Sequence, residues 1–204
     1  MPLPTDFSDR GLTVEEAIEG RRSVRDFPGP PITLLELSRL LHRASGITDR
    51  TSGFRAAPSA GALYPLEPHV VVNRVEGLPQ GIYRYRPGDH SLEAVREGDF
   101  SRQVSLAALG QEVVARAPVV LALAAVFERS RSKYGERSYR YVLMECGHVA
   151  QNVYLAATSM GLGACAVGAF MDDALNALLG LDGVEEAALY LICIGSPRGR
   201  VGQG

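Results

Sequence analysis

The sequence predicts an α+β fold. Helix and strand signals are mixed along the chain without the strict βαβ alternation of an all-parallel sheet. Three short strand signals, His69 to Asn73, Ile82 to Tyr85 and Leu92 to Val95, follow one another, with Pro87-Gly88-Asp89 turning between the last two, and this meander implies antiparallel pairing. Pro118 to Val126 is apolar on both faces, which places it in the middle of the sheet.

The remaining elements follow in chain order. Thr13 with Glu16 forms a capping box, so a helix is expected from about Val14 to Arg21. The breakers Pro28-Gly29-Pro30-Pro31 end that region. A second capping box, Thr33 with Glu36, opens a helix that carries Leu34, Leu37, Leu40 and Leu41 and runs to about Ala44. Thr51 to Leu66 is rich in Ser, Ala, Gly and Pro without periodicity and reads as a shaped loop. Phe100 to Ala108 has a helical pattern. Val142, Cys146, Val149, Val153, Ala156 and Met160 recur at spacings of four and three, the stripe of a long helix with one buried face, which Gly161 and Gly163 are expected to cap. Asp172 is expected to cap a short helix through Leu179, and Ala187 to Gly195 reads as a last buried strand.

With 204 residues, 46% apolar and 22% charged, the chain is expected to form a single domain over residues 1–204. A net charge of −2 gives no general attraction to nucleic acid or acidic lipid, so an anion site must be local. Cys146, Cys165 and Cys193 are odd in number and widely spaced, which argues against a disulfide framework or a zinc site and for a cytoplasmic protein. Met1 to Arg10 has no apolar signal region, and the longest apolar run, Pro118 to Phe127, is too short to cross a bilayer, so no membrane association is expected.

Four segments carry chemistry. Arg21-Arg22-Ser23-Val24-Arg25 clusters three guanidinium groups and a hydroxyl at a helix end, a donor set suited to a phosphate monoester. Cations at a helix C-terminus also complement the macrodipole, and the pentapeptide alone leaves both roles open. The loop Pro58-Ser59-Ala60-Gly61 continues to Pro65 with small residues that let backbone amides approach a flat ring. The run from Gly161 to Phe170 is again glycine-rich, but it lacks the strand-turn-helix setting of a dinucleotide fingerprint. Arg198 and Arg200 follow the last strand. Glu145 and His148 are three residues apart on the long helix, yet two ligands make a poor metal site, so no metal is expected and His148 reads as a hydrogen-bonded structural histidine. Cys165 reads as a small packing residue.

In this order the segments resemble the nitroreductase superfamily, specifically its SagB-type dehydrogenase branch, from Val14 to Arg198. The most specific stretches are R-R-S-V-R, P-S-A-G-A-L-Y-P, K-Y-G-E-R-S-Y-R-Y at Lys133 to Tyr141, H-V-A-Q-N-V-Y-L-A-A at His148 to Ala157, and G-L-G-A-C-A-V-G-A-F. The resemblance implies an intertwined homodimer with a mixed, largely antiparallel sheet flanked by helices, and flavin mononucleotide (FMN) bound at the subunit interface. It implies that Arg21, Arg22, Ser23 and Arg25 hold the phosphate and ribityl chain, with Arg198 or Arg200 completing the phosphate site. Pro58, Ser59, Ala60 and Gly61 would line the isoalloxazine from the partner subunit, with Val167 and Gly168 near its redox edge.

The same branch implies a catalytic pair, Lys133 and Tyr134, acting on azoline rings of a peptide while the flavin takes the hydride. A lysine placed in a desolvated site can accept a proton near neutral pH, as ring aromatisation requires. The bland alternative is a solvated charged segment, since Glu128, Arg129, Arg131, Glu136 and Arg137 surround the pair. Two other functions remain open: an NAD(P)H-dependent nitro or quinone reductase acting on small molecules, and a flavin-binding partner subunit without turnover.

Overall fold

The computed structural model describes residues 1–8 and 11–198. Helix α1 (Val14–Gly20) opens with the Thr13 hydroxyl accepting the Glu16 amide while the Glu16 carboxylate accepts the Thr13 amide. Strand β1 (Ile32–Thr33) leads into α2 (Leu34–Ser45), capped by the same reciprocal pair between Thr33 and Glu36. Both boxes satisfy amides that have no partner inside the helix.

A small hairpin, β2 (Ile47–Asp49) and β3 (Phe54–Arg55), leads into the segment read as a loop, which holds β3 and one short helical turn at Ala60–Ala62. The chain then enters β4 (Leu66–Val72), β5 (Val75–Glu76), β6 (Gly81–Arg86) and β7 (Ser91–Glu97). After α3 (Ser101–Ala107) and α4 (Glu112–Arg116) comes β8 (Val119–Val126). Next are α5 (Phe127–Tyr134) and α6 (Ser138–Ser159), followed by β9 (Gly163–Val167), α7 (Asp172–Leu179) and β10 (Glu186–Gly195).

The main sheet has six strands in the order β7-β6-β4-β8-β10-β9, all neighbours antiparallel. Seven of the eight residues of β8 are buried, as expected of a strand covered on both faces. One core lies between the sheet and α2 with α6, where Leu37, Leu41, Val149 and Val153 meet Val70 and Leu121. The other lies on the opposite face, where α3 and α7 contribute Val104, Leu175 and Leu179 against Val71, Val120 and Cys193.

The structure refines the sequence reading at four places. Gly163 opens β9 instead of capping α6; the C-cap is Met160, and Gly161 after it takes the left-handed conformation at φ +68°. Asp172 is the first residue of α7 and Met171 is its N-cap, with no side-chain cap bond. The charged stretch after Val126 is α5, whose Arg131 joins Glu128 and Glu185 in surface ion pairs. Helix α6 begins at Ser138, a turn earlier than its apolar stripe. Among the described residues no helix is long and apolar enough to cross a membrane.

Candidate functional site

The first cluster forms where the chain leaves α1. Arg21 breaks the helix at ψ 128°, and the extended segment beyond it runs beside β9: Ser23 pairs with Ala164, and the Val24 amide donates to the Ala164 carbonyl at 2.9 Å. This approach explains Gly163, because a Cβ there would stand 2.6 Å from the Val24 Cβ. From α6, Tyr154 reaches into the same place. Its hydroxyl accepts the Ala166 amide at 2.7 Å and lies 3.3 Å from Ser23 Oγ, and the Arg21 guanidinium lies 5.4 Å over its ring.

Further along, the Gly29 amide donates to the Ser196 carbonyl at 3.0 Å, which brings the same segment to the end of β10. Arg198 stands two residues later and is exposed, whereas Arg200 lies outside the described residues. Arg22 Nη1 donates to the carbonyls of Glu19 and Arg21 at 2.8 Å each, so it does serve the end of α1. Among the described residues no carboxylate pairs with Arg21, Arg22, Arg25 or Arg198. Cations without a carboxylate partner in one segment fit an anionic ligand. Val167 is the buried end of β9, and Gly168 beside it is open, with only the Tyr190 ring near a notional Cβ, at 3.7 Å.

The second cluster is built around the loop after β3. Gly61, Ala62 and Tyr64 all have positive φ, at 65°, 55° and 47°. For residues with a Cβ this costs about 1–2 kcal/mol each, so the surroundings must hold the loop. They do so by three contacts: the Ser59 hydroxyl accepts the Tyr64 amide at 2.9 Å, the Tyr64 hydroxyl accepts the Arg55 amide at 3.0 Å, and Arg129 Nη1 donates to the Tyr64 carbonyl at 3.0 Å. Pro58 is met by His148, whose Nδ1 lies 3.4 Å from the Pro58 carbonyl oxygen.

Lys133 and Tyr134 converge on this loop from the end of α5. A Cβ placed on Gly61 would lie 2.6 Å from Tyr134 Oη and 2.8 Å from Lys133 Nζ. The Tyr134 ring is held edge-on by Tyr141, with centroids 5.0 Å apart. Lys133 itself is exposed. Behind the loop, on α6, stands Glu145, 4% exposed. Burial pushes its carboxyl up to about 7, against the smaller opposing effects of the Ser59 hydroxyl and the Arg55 charge. Burial likewise draws the Arg55 guanidinium below its usual value.

The structure therefore joins Arg21, Arg22, Ser23 and Arg25 to β9 and to the end of β10, and joins Ser59 and Gly61 to Lys133 and Tyr134. It does not join the two clusters to each other. Both hang on α6, but Glu145 and Tyr154 are nine residues apart, about 13 Å along the axis. The sequence reading missed Tyr154 and Arg55 and weighed Glu145 only as half of a metal pair. Its spacing held the better signal, since Glu145 sits three residues after Val142 and four before Val149, on the buried stripe. Cys165 is buried and lies in register with Cys193 of β10, a neighbour that sequence distance hides; both thiols are free, and burial pushes that of Cys193 up to about 12.

Large apolar side chains are exposed on two helices. On α6, Tyr139, Leu143 and Met144 are 54%, 44% and 54% exposed, and Val14 and Ile18 project from α1.

Comparison with known proteins gives a consistent picture. The profile described as the nitroreductase family matches residues 18–196. The Methanocaldococcus jannaschii protein MJ1384, provisionally named a nitroreductase, is 46% identical over 90% of this chain and 91% of its own length. A Ralstonia eutropha structure, also named provisionally as a nitroreductase, superposes with a TM-score of 0.85 at 28% identity, covering 98% of this chain and 90% of that one. A chain of the E. coli microcin synthetase McbBCD complex, solved with truncated pro-MccB17 bound, gives a TM-score of 0.74 at 26% identity, over 98% of this chain and 79% of that one. The chain spans about half the length of the trifolitoxin-processing protein TfxB, the trifolitoxin operon protein TfxC and the microcin B17-processing protein McbC, which it also matches.

Proposed function

The chain belongs to the nitroreductase family and is an oxidoreductase, and from that premise we propose that it binds FMN and moves a hydride between the flavin and a small organic substrate, in the manner of a SagB-type dehydrogenase. The cofactor fits the residues. A phosphate monoester carries close to two negative charges at neutral pH, and Arg21, Arg22, Arg25 and Arg198 offer guanidinium donors with no carboxylate partner among the described residues. Ser23 presents an exposed hydroxyl beside them, and Gly168 leaves the backbone after β9 open to close approach. Pro58, Ser59, Ala60 and Gly61 would cover the ring. Bound FMN supplies the two-electron chemistry.

The observation that carries the dehydrogenase reading is the meeting of Lys133 Nζ and Tyr134 Oη above Gly61. It sets a proton acceptor and a hydroxyl at the one loop suited to lie against a flat ring. Lys133 Nζ would take the proton that a ring loses on aromatisation, while Tyr134 Oη orients the same substrate. Because Lys133 is exposed in the single chain, the shielding such a base needs would come from the substrate and a second subunit.

The separation of the two clusters favours a homodimer in which each site takes its phosphate-binding residues from one chain and its loop from the other. The apolar faces of α6 and α1 offer the area for it. An azoline-containing peptide is the substrate favoured by the likeness to McbC and TfxB, which are named as microcin- and trifolitoxin-processing proteins. Reduction of nitro compounds or quinones by NAD(P)H is the second reading, favoured by the higher identity to MJ1384.

The test is to purify the protein, release any bound chromophore with acid and identify it. The expected result is FMN at one per chain. Colourless protein that takes up no FMN overturns the proposal.

A further inference from the structure

Strand β9 is an outer strand of the main sheet, so the edge it turns away from β10 must find partners elsewhere. At Ala164 the carbonyl on that edge accepts the Val24 amide at 2.9 Å. Two residues on, where strand alternation returns the backbone to the same edge, the Ala166 amide donates to Tyr154 Oη at 2.7 Å. That oxygen has one proton of its own to give. Its other bonded neighbour among the described residues is Ser23 Oγ, at 3.3 Å. Ser23 is exposed, and its hydroxyl bonds nothing else among the described residues. The ring of the same tyrosine lies under the Arg21 guanidinium, 5.4 Å from the centroid.

We propose that Tyr154 is the positioning residue of the arginine cluster: it passes a hydrogen bond from the edge of β9 to Ser23 and so turns the Ser23 proton outward, onto a phosphate group held among Arg21, Arg22 and Arg25. That the phosphate belongs to FMN rests on the reading above; the direction of the chain does not.

Either hydroxyl can donate to the other. A phosphate removes that choice, because it accepts the Ser23 proton in a charge-assisted bond and leaves Ser23 Oγ to accept from Tyr154. The bonds then run one way, from the Ala166 amide through Tyr154 and Ser23 to the anion, and each polarises the next, strengthening it by about 10–30%. The 3.3 Å contact is long beside the usual O–H···O distance of about 2.8 Å, and it should shorten under this pull. A tyrosine that served only to cover the edge of β9 would need the Ala166 bond alone, whereas Tyr154 also meets two residues of the arginine segment.

The test starts from flavin-free protein titrated with inorganic phosphate, with the backbone amides of Ser23 and Ala166 followed by nitrogen-15 NMR. In the wild type both amides should move over the same range of phosphate. Tyr154→Phe keeps the ring under Arg21 and removes the hydroxyl, so Ser23 should respond only at about tenfold higher phosphate and Ala166 should fall silent. Ser23→Ala is the second variant and should silence Ala166 as well. The dissociation constants of FMN and of riboflavin, which lacks the phosphate, are then compared across wild type, both variants and the double variant. FMN should bind about tenfold more weakly in each single variant and about tenfold, not a hundredfold, more weakly in the double, with riboflavin unchanged. Wild-type amides that ignore phosphate, an Ala166 response that survives in Tyr154→Phe, an unchanged FMN constant in that variant, or losses that add in the double overturn the proposal. Equal weakening of FMN and riboflavin overturns it too, because it assigns Tyr154 a general structural role. Wild-type protein that takes up no FMN counts against the cofactor reading alone, since the phosphate titration is made without flavin.

Discussion

Tyr134 closes over Gly61 so tightly that a single methyl on the glycine would stand 2.6 Å from the tyrosine oxygen. The absence of that methyl is what lets Lys133 and Tyr134 share one point above the loop. Gly61→Ala should therefore cost about 1 kcal/mol in stability for its φ of +65°, and more for the displaced side chains. Turnover should fall at least about tenfold through the lost alignment. Urea denaturation and steady-state kinetics check the two effects separately, and unchanged kinetics would remove the pair from the reaction.

Lys133→Ala should slow azoline oxidation by about 10²–10⁴, the range for loss of a general base, while FMN content stays at the wild-type level. Quinone reduction by NAD(P)H requires no such base and should be largely retained. Tyr134→Phe removes only the hydroxyl and should show whether Oη assists or merely packs against Tyr141. Side-by-side assays of both variants decide between the peptide dehydrogenase and the general reductase.

Arg22→Ala should weaken FMN binding by about 1.5–3 kcal/mol, roughly ten- to a hundredfold in Kd. Its Nη1 also bonds the last carbonyls of α1, so the same change should lower thermal stability slightly. Calorimetric titration with FMN separates the two roles: a lower melting temperature with an unchanged Kd assigns Arg22 to the helix end only.

The sign of the pH dependence at Glu145 is opposite to that of a salt-bridged carboxylate. Its folded value lies above its unfolded one, about 7 against 4.5, so its contribution to stability is complete below about pH 4.5 and is lost as pH rises through 7. Glu145→Gln should consequently be more stable than wild type at pH 8.5, by up to about 3 kcal/mol, and similar to it at pH 5. Urea melts at the two values check this.

Leu143→Asp, placing a charge in the middle of the apolar face of α6, should convert a dimer to monomers with reduced flavin content. Sedimentation velocity reads the mass. A wild-type protein that carries FMN as a monomer would contradict the shared site.

Legibility in the sequence followed the range of the interactions. The two capping boxes were readable because Thr13 and Glu16, or Thr33 and Glu36, are each other's partners within one turn. Strand β8 was readable because burial on both faces needs a run of apolar residues. Strand β9 was not, since Gly163 is required by Val24, a residue far away in sequence, and Gly-Ala-Cys-Ala-Val has no alternation of its own. Of the site, the arginine cluster and the small-residue loop stood out by composition, whereas the contacts of Tyr154 with Ala166 and Ser23 exist only once α6 is docked.

The strand order carries a consequence for how the chain is made. Strand β10 is the last strand among the described residues, yet it lies between β8 and β9 in the sheet. Among the described strands of the main sheet β9 pairs with β10 alone, so on the ribosome that sheet stays open on one side until residues 186–195 have emerged. Synthesis at about 5–20 residues per second leaves β8 with an uncovered apolar edge for several seconds. Ser23 and Val24 dock on β9, so the arginine cluster acquires its final shape only when the sheet closes. Nascent chains stalled before residue 186 should be bound by chaperones and should fail to load flavin.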